Sequence, residues 1–139
     1  MRDAQLSCTA CSATFSITSL VQRCAYCGEP VEVRGDVGGA RVDHAGSTLL
    51  ERYHDFLPFT DIDVDLSLGE GATPLLRARQ LEPLLKLGTL SLKVEGQNPT
   101  GSFKDRGTVA GVTWCVANGV RRVGTVSTGN MGGSVAAYA

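Results

Sequence analysis

Long apolar runs are absent from this sequence: no stretch approaches the roughly 20 residues needed to cross a bilayer, so nothing points to a membrane. Charge of one sign is missing as well. Thirteen Lys and Arg stand against fourteen Asp and Glu, and no basic cluster reaches five residues. The electrostatic footprint of a nucleic-acid or anionic-surface binder is therefore lacking. The start, MRDAQLSC, has no apolar core of the kind a secretory signal carries, so the cytoplasm is the expected location. What the chain does have is five cysteines and seventeen glycines, in patterns.

Four cysteines form two pairs, CTAC (Cys8, Cys11) and CAYC (Cys24, Cys27). Two such knuckles supply the four thiolates of a tetrahedral zinc site; a redox pair is the alternative. Cytosolic thiols stay reduced, which favours the metal. Gly28 follows the second knuckle and suits a positive-φ turn, whereas the first has Ser12 there. TFSI and VEV (31–33) read as strands. About 30 residues bury too little carbon to fold unaided, and bound metal offsets the deficit. The expectation is a structural zinc ribbon over residues 1–34. With three Arg against one Asp and two Glu, that ribbon is not a nucleic-acid binder. Cys115, in an apolar stretch far away, reads as a small core residue.

Residues 35–67 read as a linker with one short helix. Thr48-Leu-Leu-Glu51 forms a capping box, and the helix ends before Pro58. His44 and His54 read as solvated surface residues. The acidic alternation in FTDIDVDLSL lacks the Gly and Glu of a calcium loop. RARQLEPLLKLG (77–88) has helical leucine spacing broken at Pro83. From there the pattern is strand (TLSLKV), helix to about Asn118 with Gly119 as its C′ residue, strand (RRVGTVS, 121–127), loop and helix (MGGSVAAYA). Ser102, with Asp105 three residues on, reads as the cap of the first of these helices. That alternation predicts an α/β fold with parallel pairing. Residues 107–120 carry no charge, so their helix should be covered on all sides.

Between the first strand and helix lies EGQNPTGSFKDRG (95–107). Gly96-x-x-x-x-Gly101 mimics half of a phosphate loop, but Ser102 and Phe103 stand where the lysine must follow, so that reading fails. A lysine in the first turn of a buried helix, next to an apolar ring, suits nucleophilic amine chemistry. The alternative is an ordinary helix-start lysine paired with Asp105.

NPTGSFKDRG resembles the lysine motif of threonine synthases, within the pyridoxal phosphate (PLP) enzymes related to tryptophan synthase β. The paired-Cys ribbon, LGEGATPLL (68–76) and VSTGNMGGSVAAYA (126–139) are similar to further family segments, in the right order. The resemblance implies a fold-type II catalytic domain beginning at residue 68, with PLP as cofactor beside structural zinc. It makes Lys104 the Schiff-base and proton-shuttling lysine, places Phe103 against the ring, and gives Asn130 the cofactor's 3′-oxygen. It assigns Ser127, Thr128 and Gly129 to the substrate carboxylate, consistent with a polar loop opening a helix. The implied reaction converts O-phospho-L-homoserine and water to L-threonine and phosphate. Cysteate synthase and threonine or serine deaminase are the related alternatives; a non-catalytic zinc-ribbon interaction protein is the unrelated one. MGG after Asn130 departs from the family pattern and bears on fine substrate contacts. No glycine-rich phosphate cradle or pyridine-nitrogen partner follows, and the sequence stops inside a helix pattern. The expectation is a truncated frame or fragment, inactive alone, of an enzyme that is a homodimer when complete.

Overall fold

The computed structural model describes residues 1–139. Its first unit is a three-stranded antiparallel sheet: β1 (Arg2–Cys8), β2 (Thr14–Ser16) and β3 (Val31–Asp36), ordered β2-β1-β3. Register places Leu6 opposite Phe15 on one side and Val33 on the other, which gathers one apolar row across the sheet. The central strand is the longest and was not expected from the sequence. RDAQLSC has no β-branched residue, and its pairing is irregular between Arg2 and Gln5, where Asp3 has φ 50°. Arg2 closes the open end on Asp36 at 3.1 Å.

The chain then lays a short helix, α1 (Leu49–Arg52), under the second unit. Its capping box is formed: Glu51 N–H donates to Thr48 Oγ1 at 3.2 Å, and Thr48 N–H to Glu51 Oε2 at 2.8 Å. The terminal amine of Met1 donates to the carbonyls of Asp55 and Leu57, which ties the ribbon's first residue to this segment.

A hairpin of β4 (Leu75–Arg77) and β5 (Ser91–Lys93) follows, with Leu76 opposite Leu92. The helical pattern at 77–88 shrinks to one turn, α2 (Leu81–Leu84). Pro83 lacks the N–H a longer helix needs, and Lys86 turns into the left-handed region at φ 54°. Arg77 grips Glu82 with two hydrogen bonds of 2.8 and 3.0 Å across the turn.

Two longer helices complete the molecule, α3 (Lys104–Ala117) and α4 (Asn130–Tyr138). α3 ends in a Schellman motif: Val120 N–H reaches Cys115 O at 2.9 Å, Gly119 N–H reaches Val116 O at 3.0 Å, and Gly119 has φ 69°. Between them, residues 121–127 take no regular secondary structure, so the expected strand is not formed. All strand pairing is antiparallel, not parallel as the sequence pattern predicts. A parallel strand exists only beside a partner, and 121–127 joins neither sheet.

Leu50, Val109, Val112 and Tyr138 make the buried core, with Leu49, Leu57, Ile62, Leu66 and Ala110 packed around it. α3 is covered on that face only. Gly107, Gly111, Val116 and Ala117 are exposed, contrary to the all-round cover predicted from its lack of charge. A groove of about 650 Å³ separates Trp114 and Cys115 from Leu6 and Leu20 of the ribbon. No helix is long and apolar enough to cross a membrane.

Candidate functional site

Two sites emerge from the folded chain. In the ribbon, the Sγ atoms of Cys8, Cys11, Cys24 and Cys27 all lie within 4.8 Å of one another. Neighbouring pairs are closer: Cys8–Cys27 3.4 Å, Cys11–Cys24 3.5 Å and Cys11–Cys27 3.6 Å. Four sulfurs at the usual zinc–sulfur distance sit about 3.8 Å apart at tetrahedral corners, so the donor set fits that ion. Backbone geometry builds each knuckle. Amides of Ala10 and Cys11 point at Cys8 Sγ, and that of Tyr26 at Cys24 Sγ. Gly28 takes φ 76°, and Ser12 takes the matching φ 58° despite its Cβ. Cys8 is drawn down to about 6 by the amides of Cys11 and Ala10. The Glu29 amide favours ionised Cys27, but Cys8 beside it and loss of water push that thiol up to about 12. The sulfurs compete for negative charge, and a cation at their centre relieves that competition.

The second site is built from the loop 95–103 and the starts of α3 and α4. Lys104 is the first residue of α3, and Phe103, 55% exposed, is its cap. Lys104 Nζ stands 4.3 Å from that ring's centroid and has neither an ion-pair nor a hydrogen-bond partner. The pairing with Asp105 is thus not made. Asp105 is fully buried and turns away, accepting from Thr100 N–H at 2.8 Å, Thr100 Oγ1 at 2.5 Å and Ser134 Oγ at 2.7 Å. Burial opposes its charge, yet these hydrogen bonds hold the carboxyl below its ordinary value. Nor does Asp105 close a capping box with Ser102, whose Oγ instead accepts from Lys104 N–H at 3.3 Å.

Asn130 opens α4, and Ser127, Thr128 and Gly129 form the exposed turn before it. Ser127 Oγ accepts from Gly129 N–H at 3.2 Å. Ser134 bonds both Asp105 and Thr108 of α3, while Tyr138 joins Val109 and Val112 in the core. This order of contacts has α3 and α4 running the same way, with Lys104 and Asn130 at the same end. An amine able to form a covalent bond with a carbonyl carbon thus shares one end of the molecule with an open helix N-terminus suited to an anion.

Sequence reasoning missed the clamp beneath this end. Arg106 forks onto Glu95 with two bonds of 2.7 Å and reaches Gly71 O at 3.1 Å. Thr73 Oγ1 donates to Glu95 at 3.0 Å, and Asn98 Oδ1 accepts from Gly71 N–H at 2.9 Å. These bonds tie segment 68–73 to the lysine loop. Arg106 holds the Glu95 carboxyl down at about 2. Buried Glu70 accepts from Tyr138 Oη at 2.8 Å. A signal was available: residues 94–120 carry only four charges, and Glu95 and Arg106 are two of them.

Residues 66–139 match the family described as pyridoxal-phosphate dependent enzyme. The chain is 39% identical over 137 residues to a threonine synthase of Methanocaldococcus jannaschii, covering 94% of this chain and 34% of that protein. It is 33% identical over 137 residues to a threonine synthase of Methanosarcina acetivorans (96% and 33% covered). To the threonine synthase of Mycobacterium bovis it is 48% identical over 91 residues, 66% of this chain and 25% of that one. The chain thus spans about a third or less of the length of these relatives. No solved structure matches it.

Proposed function

The chain belongs to the pyridoxal-phosphate-dependent enzymes, and from that premise we propose that the protein is a threonine synthase of fold type II. The reaction is conversion of O-phospho-L-homoserine and water to L-threonine and phosphate. The observation that carries the reading is the unpartnered Lys104 amine at the start of α3, beside the open N-terminus of α4. Likeness to threonine synthases of three organisms supports the choice of substrate.

When bound, PLP supplies an electron sink for negative charge at the substrate's α-carbon. Lys104 would hold the cofactor, and its amine would move protons to and from substrate carbon. Phe103 would lie against the cofactor ring. Asn130 would hydrogen-bond the 3′-oxygen. Ser127, Thr128 and Gly129 bind the substrate carboxylate at the positive end of α4. In the ribbon, Cys8, Cys11, Cys24 and Cys27 hold one zinc ion, closed by four protein ligands and therefore structural.

The test offers O-phosphohomoserine, threonine, and phosphoserine with sulfite, in separate assays, to a protein in which this chain is continued to the length of its relatives. Phosphate release fastest from the first is the expected outcome. Faster turnover of phosphoserine with sulfite makes the protein a cysteate synthase, and ketobutyrate from threonine makes it a deaminase. Lys104→Ala should lose both activity and borohydride-fixed cofactor while staying folded. Retention of a fixed adduct in that variant moves the role to another lysine.

A further inference from the structure

Asp105, Ser134 and Thr108 form a sealed polar link between α3 and α4. Asp105 and Ser134 are fully buried and Thr108 is 4% exposed. Ser134 Oγ donates to Asp105 at 2.7 Å and meets Thr108 Oγ1 at 2.8 Å. From the other side, the amide and hydroxyl of Thr100 hold the same carboxylate. Three segments thus meet on one side chain: the loop before the lysine, the lysine helix and the asparagine helix.

The position of this link matters. Asp105 adjoins Lys104 in the chain, and successive helix residues point about 100° apart. With Asp105 fixed toward α4, Lys104 is turned out of the interface, toward Phe103. Ser134 lies four residues after Asn130, one turn along the same face of α4 and about 6 Å up its axis. The Asp105–Ser134 bond therefore sets the register between the start of α3 and the start of α4. It also occupies the nearest carboxylate. An Asp105 free to swing outward would face the lysine amine as an ion-pair partner, and an amine held as ammonium is no nucleophile.

We propose that Asp105, held by Ser134 and Thr100, is a positioning residue that sets the start of α3, where Lys104 stands, beside the end of α4 that carries Asn130, and keeps a carboxylate off the Lys104 amine. The inference rests on the cofactor reading above. A merely structural link would lower stability alone. A positioning link also changes how the folded protein captures PLP.

The experiment compares wild type, Ser134→Ala, Asp105→Asn and Thr113→Val. Thr113 is a control: it is buried on the same helix, and its hydroxyl has no partner. Each protein is titrated with PLP at a temperature where circular dichroism shows it folded. Borohydride-fixed PLP is then located by peptide mass spectrometry. Ser134→Ala and Asp105→Asn should raise the PLP dissociation constant at least about tenfold and reduce the share fixed on Lys104, with Thr113→Val unchanged. If Asp105→Asn does not fold, Ser134→Ala decides, since it removes one hydroxyl. Wild-type affinity and Lys104 labelling in folded Ser134→Ala overturn the proposal and leave the cofactor reading standing. A wild type that fixes no PLP on Lys104 overturns both.

Discussion

The ribbon and the paired helices hold together by different means. In the ribbon the buried apolar side chains are Cys8 and Cys24, both in the sulfur cluster; Val33 is 45% exposed and Leu20 70%. Its three strands present one thin apolar row, too little to offset the entropy of ordering the chain. Around α3 and α4, by contrast, the fully buried side chains include Leu50 and Val109 beside Asp105, Thr113 and Ser134. There a small carbon core and a satisfied polar link act together, and the link lies next to Lys104. On the proposed reading the ribbon depends on an ion, whereas the helices depend on carbon and hydrogen bonds.

Removing metal should break this comparison most sharply. Structural zinc stabilises finger-sized units by on the order of 10–16 kcal/mol, so a chelator or Cys24→Ala should melt residues 2–36. Hydrogen exchange read by peptide should show protection lost across β1–β3 and kept in α3. Equal loss in both regions would mean that the ribbon is part of the helical core rather than a unit held by its metal.

Leu50→Ala is the converse experiment. Leu50 is fully buried at the centre of the four-residue core, and truncation there should cost about 2–5 kcal/mol. Denaturant unfolding measures the loss. Metal content per chain should stay near one in the folded fraction, because no ribbon sulfur touches that core. A variant that lost zinc in step with its helices would couple the two regions after all.

Particular residues explain how much of this could be read from sequence. The cysteine pairs, the Thr48–Glu51 box and the Gly119 stop were legible because each is a local pattern with a local physical cause. β1 was not: its pairing with β2 and β3 is set by cross-strand partners such as Phe15 and Val33, and its own residues favour no strand. Segment 121–127 misled in the opposite sense. Its valines have strand propensity, but propensity without a neighbour makes no ladder. At the candidate site, Lys104 stood out by its motif. The partners of Asp105 did not, since Thr100 and Ser134 reach it only once α3 and α4 lie side by side.

A smaller effect belongs to the cap of α1, the element that brings Leu50 to the core. Thr48→Ala removes the acceptor for Glu51 N–H and should cost about 1 kcal/mol. Thermal unfolding with metal saturated reads this directly. Thr48→Ser should restore most of it, since Ser keeps the hydroxyl. No change in either variant would place the stability of α1 wholly in the burial of Leu50.

The smallest expected effect is a pH dependence confined to the second region. Arg106 holds Glu95 down at about 2, assisted by Asn98 and Thr73, although partial burial opposes the charge. Glu51 also lies at about 2, through the hydroxyl of Ser47, the amide of Thr48 and the Thr48 hydroxyl. Both carboxyls therefore have folded values below that of an unfolded glutamate, about 4.3. A depressed acid contributes stability that is complete above the unfolded value and is lost as pH falls through the folded one. The window runs from about pH 4.5 down to about pH 2. Zinc release confuses this range, because protons displace metal from thiolates. The clean comparison is wild type against Glu95→Gln, each freed of metal and monitored by helical signal alone. Wild type should lose helix stability more steeply over that window, and the two curves should converge near pH 2. Parallel curves throughout would show that the Arg106–Glu95 fork gives no net stabilisation and only aims the segment 68–73 at the lysine loop.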